Sequence, residues 1–179
     1  PADVKHILVT HLDFDHAGGI ADFPQAMVHV LSSEFNATQN FNYKNKIRYK
    51  SEQLTQHRYW NFIEPAFGAS WYHFSKVQGF NLFQDEVLMI PLLGHSAGHC
   101  GIAIQYKGHW ILFCGDAYYS HQQLNPNTKL PALALTERVF AHDNLKRIES
   151  LKQIQLLAKQ QPEIEIFCAH DPIEFRRYL

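Results

Sequence analysis

Short apolar runs separated by polar loops recur along most of the chain, and this pattern predicts a sheet-rich fold of the α/β class. Runs with the length and composition of strands cover residues 5–10, 26–31, 72–77, 86–93, 101–106, 109–114 and 163–168. Lys107-Gly108 separates two of these runs and predicts a tight hairpin. A layered arrangement of sheets and helices is therefore expected.

Helical signals follow the strand at 26–31 and precede the strand at 163–168. Ser32 or Ser33 is predicted to cap a helix through residues 34–40. Asp143 is predicted to cap a longer helix that ends before Pro162. The apolar positions of this second helix recur at three-to-four spacing and are Leu145, Ile148, Leu151, Ile154, Leu157 and Ala158.

Residues 40–74 have no clear hydrophobic period and are rich in aromatic and amide side chains. We predict an irregular or helical insertion here, and it is a candidate lid. Its aromatic side chains either line a pocket or form a separate hydrophobic cluster. They are Trp60, Phe62, Phe67, Trp71, Tyr72 and Phe74.

The length of the chain indicates how many domains it forms, and its charge indicates which partners are unfavourable. A chain of 179 residues that is 46% hydrophobic is expected to form one domain over residues 1–179. Its 16 Lys and Arg against 17 Asp and Glu give a net charge of -1, which argues against nucleic acid or an anionic membrane as a partner. The 12 His residues are the unusual feature of the composition, and histidine in this number suits a metal site.

The number and spacing of the cysteines indicate whether the protein lies in a reducing or an oxidising compartment. The three cysteines, Cys100, Cys114 and Cys168, are odd in number and lack CxxC spacing, so a disulfide framework is not expected. A reducing, cytoplasmic location is therefore predicted. The chain has no apolar run long enough to span a bilayer, and it begins at Pro1 rather than Met, so a segment upstream is expected.

Four predicted strands run directly into histidine or aspartate. The strand at 5–10 leads into His11-x-Asp13-x-Asp15-His16, and later strands deliver His95, Asp116 and His170. Aligned strand ends bring residues that are distant in sequence close together, and imidazole and carboxylate ligands suit zinc, iron or manganese. A metal site is predicted at these ends. The alternative for the first cluster is a turn whose carboxylates bond to backbone amides.

The chain resembles the metallo-β-lactamase fold superfamily. The hydrolase signature His-x-His-x-Asp-His-Gly-Gly, the downstream Gly-His-Thr/Ser-x-Gly-His, the Asp after a hydrophobic strand and the late His appear here as HLDFDHAGG, GHSAGHC, LFCGD and FCAHD. The resemblance implies an αββα sandwich and two divalent metals. It also implies that His11 and His95 hold the first metal, that Asp15, His16 and His170 hold the second, and that Asp116 bridges them.

Asp13 departs from the family pattern, which has histidine at this position. Its carboxylate has the same reach from Cβ as imidazole Nδ1, so Asp13 is expected to bind the first metal. The additional negative charge weakens the metals as Lewis acids and favours harder ions. Zinc is the expected metal, and Asp13 makes iron and manganese the alternatives. An acidic residue here also resembles the flavodiiron oxygen reductases of the same superfamily.

Several residues near the predicted ligands have less specific signals. His99 is predicted to be structural rather than a ligand, and the three cysteines to be packing residues. Asp171 either orients His170 or caps the C-terminal tail. One of Tyr118 and Tyr119 either faces the substrate or packs in the core.

The superfamily fold places several strands before the His cluster, whereas ten residues precede it here. We therefore expect a sandwich that lacks its N-terminal strands, with an exposed apolar face or edge and association with the missing segment or with a second copy. The predicted function is hydrolysis of an ester, lactone or thioester of a small molecule, with Asp15 and Asp116 as catalytic carboxylates. The alternatives are a flavodiiron-like redox protein and a non-catalytic metal-binding module.

Overall fold

The structure, a computed structural model, describes residues 1–40, 42–64, 70–82 and 85–178. Its strands in chain order are β1 (His6–Leu8), β2 (Met27–Leu31), β3 (Trp60–Ile63), β4 (Ser70–Trp71), β5 (Phe74–Ser75), β6 (Gln78–Leu82), β7 (Asp85–Pro91), β8 (Cys100–Tyr106), β9 (His109–Phe113) and β10 (Glu165–Phe167). Its α-helices are α1 (Phe14–Ala17), α2 (Ser32–Thr38), α3 (Tyr43–Arg48), α4 (Ser51–Thr55), α5 (Pro131–Phe140), α6 (Asn144–Gln160) and α7 (Pro172–Phe175).

The strands form two main sheets and one short hairpin. The first sheet has the order β1-β2-β3 and is parallel throughout. The second has the order β10-β9-β8-β7-β6, in which β10 and β9 are parallel and the other neighbours antiparallel. Lys107 and Gly108 join β8 to β9 with φ angles of 50° and 83°, the left-handed conformation that a two-residue hairpin turn requires. The predicted hairpin is confirmed.

Alternating side chains of the first sheet pack in opposite directions. Val28 and Val30 of β2 are fully buried in a cluster with residues of α1 and α4. Leu31 and Ile63 belong to another cluster, which includes Met89 of the second sheet. Because successive side chains of a strand point to opposite faces, the first sheet lies between a helical layer and the second sheet.

The other face of the second sheet is covered by α6. Leu88, Ile90 and Leu112 form one buried cluster with Ile154 and Leu157 of this helix. The order of layers is therefore helices, sheet, sheet, helix, and the αββα architecture predicted from the sequence is confirmed. None of the helices in the described part of the chain is both long enough and apolar enough to cross a bilayer.

Burial between the two sheets decreases along β8. Cys100 and Ile102 are 0% and 9% exposed, whereas Ile104 and Tyr106 on the same face are 40% and 52% exposed. The first sheet has three strands and the second has five, so the inner face of the second sheet is only partly covered. An exposed apolar face of this kind was expected from the sequence.

Two helix and strand predictions need correction, and one helix was not predicted. Ser32 and Ser33 do not cap α2, since the helix begins at Ser32 and the capping position is Leu31, which has no side-chain cap. Residues 72–77 form only the two-residue strand β5, because Tyr72 and His73 lie in the turn between β4 and β5. The sequence analysis assigned no element to residues 131–140, which form α5.

The segment 40–74 is partly as expected. Helices α3 and α4 agree with a helical insertion, but β3 extends the first sheet by pairing with β2. Trp60 and Phe62 of β3 contact Phe35 of α2, with ring centroids 5.2 and 4.5 Å apart. Trp71 and Phe74 are buried in the cluster under α6. Tyr72 is 45% exposed, and Phe67 lies outside the described residues. Of the six aromatic side chains considered, Trp60, Phe62, Trp71 and Phe74 therefore pack in hydrophobic clusters.

Helix α6 begins at a side-chain cap, as predicted. The Asp143 carboxylate accepts hydrogen bonds from the amides of Leu145 and Lys146 at 3.0 and 3.2 Å. Leu145, however, is 80% exposed and does not belong to the buried face. The cap, rather than an apolar contact, fixes the first turn of this helix.

We expect Asp143→Ala to lower the free energy of unfolding by about 1 kcal/mol, because two amides of the first turn lose their acceptor. Denaturant unfolding of the metal-free protein measures this difference. Asp143→Ser is the matched control, since a hydroxyl retains the capping acceptor. Equal losses for both variants would show that the cap is not the source of the effect.

Candidate metal centre

The first group of candidate ligands lies in the loop after β1 and in α1. His11 is fully buried, and Asp13 occupies the residue before α1, which carries Asp15 and His16. The amide of Cys100, at the start of β8, donates to the carbonyl oxygen of Thr10 at 2.9 Å. This bond attaches the loop of the first sheet to the edge of the second.

The other candidate ligands follow strands of the second sheet. His95 follows β7, Asp116 follows β9 and His170 follows β10. Because β7 and β9 are both antiparallel to β8, and β10 is parallel to β9, these three strands run in the same direction. Their carboxyl ends therefore lie at one edge of the sheet, which is the physical reason that residues so distant in sequence meet.

The first half of the cluster contains His11, Asp13 and His95. The Nε2 atoms of His11 and His95 lie 3.6 and 3.0 Å from Oδ2 of Asp13. They also lie 4.0 and 3.6 Å from Oδ2 of Asp116. One ligand atom from each of His11, Asp13 and His95 falls within 4.8 Å of the others, which is compatible with a single metal ion.

The second half contains Asp15, His16 and His170. Nε2 of His16 is 3.3 Å from Oδ1 of Asp116, and Nε2 of His170 is 3.2 Å from Oδ2 of the same carboxylate. Oδ2 of Asp15 lies 3.8 and 3.9 Å from these two imidazoles. Asp116 thus contacts imidazoles of both halves. All seven residues predicted from the sequence lie in this one cluster.

The cluster has the donors and the incomplete hydrogen bonding expected of a metal site. Nε2 of His11 and Oδ1 of Asp116 are buried, and neither has a hydrogen-bond partner among the described residues. A buried polar atom without a partner is costly, so a ligand for these atoms is expected. The arrangement fits two divalent metal ions, and Asp116 lies between the two halves of the donor set.

Charge favours anionic carboxylates in this cluster. Burial raises the pKa of Asp13, but contacts with His11 and His95 and the charge of Arg48 outweigh it, so the pKa lies well below its usual value. The pKa of Asp116 is likewise raised by burial and lowered further by contacts with surrounding imidazoles, with the same net direction. Both side chains are therefore ionised, the form in which carboxylates bind metals.

The imidazoles respond differently to their surroundings. Burial lowers the pKa of His95 and outweighs its contact with Asp13, so the neutral form, which binds metals, is favoured. The hydrogen bond to Asp116 raises the pKa of the more exposed His170. A proton therefore competes with a metal more strongly at His170 than at His95.

His99 lies beside the cluster and is not arranged as a ligand. Its Nδ1 donates to the carbonyl oxygen of Leu92 at 2.9 Å, and its Nε2 accepts from the amide of Asp116 at 2.9 Å. Both nitrogens are thus occupied, and burial lowers the pKa of the imidazole well below its usual value. His99 positions Asp116 through its backbone amide, in agreement with the structural role predicted for it.

Glu34 of α2 holds the two ligand loops together, and the sequence analysis did not identify it. Its Oε1 accepts from the amide of Leu12 at 3.0 Å and from the hydroxyl of Tyr49 at 3.1 Å. Its Oε2 accepts from the hydroxyl of Ser96 at 2.6 Å and from the amide of Gly98 at 2.7 Å. The carboxylate is fully buried, so these contacts join the loop of His11 to the loop of His95.

Glycine is required at position 98 by this contact. A Cβ atom there would lie 2.3 Å from the backbone nitrogen of Glu34, which is far inside van der Waals contact. The close approach allows the amide of Gly98 to reach the Glu34 carboxylate. The glycine of GHSAGH is therefore explained by the packing of α2 against this loop.

Arg48, at the end of α3, is the second residue that the sequence analysis missed. Its Nη1 donates to both carboxylate oxygens of Asp13, at 3.0 and 2.8 Å, and its Nη2 donates to the carbonyl oxygen of Phe140. The Asp13 carboxylate makes no capping hydrogen bond to α1 within the described residues. The alternative of a carboxylate that only stabilises a turn is therefore wrong for Asp13.

An open cleft lies over the cluster, and none of the described aromatic residues of the segment 60–74 lines it. Phe14, Tyr119, Thr136 and Phe140 line it together with ligand side chains. The hydroxyl of Tyr119 lies 3.3 Å from Nδ1 of His95, whereas Tyr118 is fully buried and donates to Glu174. Of the two tyrosines considered from the sequence, Tyr119 is the one at the site.

Asp171 and the cysteines have structural roles. Asp171 accepts from the amide of Ile173 at 2.7 Å and from Nδ1 of His121 at 2.6 Å, so it caps the C-terminal tail. Hydrogen bonds from His121 and Ile173 outweigh desolvation and lower the pKa of Asp171 to about 2. The three cysteines are buried free thiols, which agrees with packing.

Comparison of the chain with known proteins identifies relatives that bind metals by name or by family. The model of the metallo-beta-lactamase superfamily matches residues 1–168. A probable metallo-hydrolase of Mycobacterium tuberculosis is 32% identical over 175 residues, which are 96% of this chain and 56% of the relative. A hydroxyacylglutathione hydrolase of Vibrio campbellii is 28% identical over 168 residues, 94% of this chain and 48% of the relative. The chain thus spans about half the length of these relatives.

Solved structures agree on the fold. An N-acyl homoserine lactone hydrolase, whose structure has N-hexanoyl-L-homoserine bound at its catalytic metal centre, superposes with a TM-score of 0.71 at 22% identity. The match covers 98% of this chain and 59% of the other. At this identity the likeness shows the fold alone, whereas the family model covers nearly the whole chain. The chain belongs to the metallo-beta-lactamase superfamily.

Proposed function

We propose that this chain carries the metal centre of a hydrolase that cleaves an ester, lactone or thioester. The observation that carries the proposal is the convergence of four imidazoles and three carboxylates after β1, β7, β9 and β10. These donors are the ones that zinc and related divalent metals bind in hydrolases. The relatives named metallo-hydrolase and hydroxyacylglutathione hydrolase support the same reaction class.

The proposed ligands fall into two sets that share one carboxylate. The first metal is assigned to His11, Asp13 and His95, the second to Asp15, His16 and His170, and the bridge to Asp116. Zinc is the metal we expect. Iron and manganese are the alternatives, because the third carboxylate, that of Asp13, adds negative charge and favours harder ions.

Two divalent metals would supply Lewis acidity for the carbonyl and lower the pKa of the attacking water. The chain itself orients ligands and moves protons. Thr10 Oγ1 lies 2.9 Å from Nδ1 of His11, and the Tyr119 hydroxyl contacts Nδ1 of His95, so each Nε2 faces the cluster. The Asp15 side chain is 44% exposed, so its carboxylate connects the proposed second site with solvent, as a proton relay requires. Asp15 and Asp116 are therefore our proposed catalytic carboxylates.

The proposed substrate is a small molecule with an apolar part. Phe14 and Phe140 at the cleft are 49% and 55% exposed, and Tyr119 supplies a hydroxyl beside them. Because burial raises its pKa, Tyr119 stays protonated and can donate a hydrogen bond. An acyl or aryl group against the two phenylalanines would bring the scissile carbonyl toward the ligands.

Location and partners remain predictions of the sequence analysis. We propose a reducing, cytoplasmic compartment, which the buried free thiols of Cys100, Cys114 and Cys168 support. Association through the partly covered face of the second sheet is supported by the exposure of Ile104 and Tyr106.

Removal of metal should abolish hydrolysis. We expect the purified protein to contain about two zinc ions per chain and to lose turnover of a panel of esters, lactones and thioesters after dialysis against a chelator, with recovery on addition of zinc. Elemental analysis and initial rates measure both. Hydrolysis that survives complete metal removal would contradict the proposal. Iron with oxygen consumption would favour the redox alternative, and bound metal without turnover would favour a non-catalytic module.

Asp116→Asn should lower metal affinity by roughly 100-fold or more, because loss of an outer partner already costs about 10- to 100-fold and Asp116 contacts both halves of the cluster. Competition titration with a chromogenic chelator measures the affinity. Asp171→Asn is the matched control, since Asp171 follows a proposed ligand directly but contacts His121 and the tail. Equal losses in both variants would argue against a bridging role.

Glu34→Gln should lower the free energy of unfolding of the metal-free protein by about 1–3 kcal/mol, because an amide nitrogen replaces one acceptor oxygen and leaves a buried donor unsatisfied. Denaturant unfolding measures this loss, and the proposed sites should also bind zinc more weakly. Glu52→Gln on α4 is the control, since Glu52 is exposed. A Glu34 variant as stable as this control would contradict the role assigned to Glu34.

A further inference from the structure

The Asp13 carboxylate lies between an arginine and the imidazoles of the proposed first metal site. Arg48 Nη1 is 2.8 Å from its Oδ2 and 3.0 Å from its Oδ1. On the other side, Oδ2 is 3.0 Å from Nε2 of His95 and 3.6 Å from Nε2 of His11. The side chains of Arg48 and Asp13 are 10% and 13% exposed, so solvent screens this pair only weakly.

Both terminal nitrogens of the Arg48 guanidinium group are held by hydrogen bonds. Nη2 donates to the carbonyl oxygen of Phe140, the last residue of α5, while Nη1 contacts both oxygens of Asp13. Contact with both oxygens restricts rotation of the carboxylate, so Oδ2 stays directed toward His11 and His95. The geometry therefore fixes a ligand atom before any metal binds.

The Asp13–Arg48 pair also changes the net charge next to the proposed first metal. Asp13 stands where the family signature has a neutral imidazole, and by itself it would add one negative charge to the cluster. Arg48 adds one positive charge at hydrogen-bond distance, so the Asp13–Arg48 pair has no net charge. In charge, the pair is therefore equivalent to the single histidine that it replaces.

We propose that Arg48 is a positioning residue for the first metal, which orients and neutralises Asp13 so that the two side chains together replace one histidine. The inference rests on the proposed metal centre. It means that Asp13 and Arg48 function only as a pair. Restoring histidine at position 13 would leave the guanidinium without its carboxylate, beside three imidazoles and a divalent cation, and removal of Arg48 would then restore binding.

The test is a double-mutant cycle of Asp13→His and Arg48→Met, followed by zinc affinity rather than activity. We expect each single substitution to weaken binding at the first site by about tenfold or more, because Arg48→Met removes the partner of a ligand and Asp13→His leaves the guanidinium unpaired beside the metal. The double variant should return to within about threefold of the wild type. The effect of Arg48→Met should thus have opposite signs in the two backgrounds, which a merely structural role would not produce.

Lys44→Met is the matched control. Lys44 lies on the same helix and its Nζ reaches the carbonyl oxygen of Ala141 at 3.4 Å, next to the contact made by Arg48. Its removal should leave zinc affinity unchanged in both backgrounds. Thermal unfolding of the metal-free proteins checks folding. If Asp13→His does not fold, Asp13→Asn, which keeps the shape of the side chain, replaces it, and Arg48→Met should then cause no further loss of zinc affinity in that background.

The outcomes separate the two proposals. Wild-type protein that binds none of zinc, iron and manganese would overturn the proposed function and this inference with it. Wild-type protein that binds zinc, together with an Arg48→Met effect of the same size and sign in both backgrounds, would overturn the inference alone. Asp13→His that binds as tightly as the wild type would also overturn it.

Discussion

The buried carboxylate of Glu34 is the contact on which the site most depends. Ligand loops have irregular backbones, and their amides need acceptors when no strand or helix supplies them. Glu34 accepts from the amides of Leu12 and Gly98 and from the hydroxyls of Ser96 and Tyr49. Because this carboxylate comes from α2, the helical layer, the first sheet and the loop after β7 are fixed to one another at the metal centre.

A second constraint is the charge of the cluster. Three carboxylates and four imidazoles lie within a few ångströms, and burying unpaired charges is costly. Contacts among the side chains keep Asp13 and Asp116 ionised, and the guanidinium of Arg48 offsets part of their charge. The cluster is thus prepared for metal ions by the protein itself, at some cost in stability that bound metals would reverse.

The candidate ligands could be identified from the sequence, whereas the residues that position them could not. His11, Asp116 and His170 each follow an apolar strand, and this local pattern can be recognised in one sequence without knowledge of the fold. Glu34 and Arg48 act through contacts 62 and 35 residues away, and neither stands in a recognisable motif. Helix α5 was missed because its apolar residues, including Leu135 and Val139, are largely exposed, whereas the residue that it buries is the polar Glu137.

The packing of the two sheets shows why the site can be formed within this chain. Along the inner face of β8, Cys100 is fully buried beside the ligand loops, while Tyr106 at the other end is 52% exposed. Along β8, burial between the sheets is thus greatest beside the candidate ligands and least at the opposite end of the strand. A segment or partner that covers Ile104 and Tyr106 would contact the end of the sandwich opposite the metal centre. Because this contact would lie far from the candidate ligands, it would stabilise the fold without moving them. The stability gained there and the metal affinity of the site should therefore vary independently.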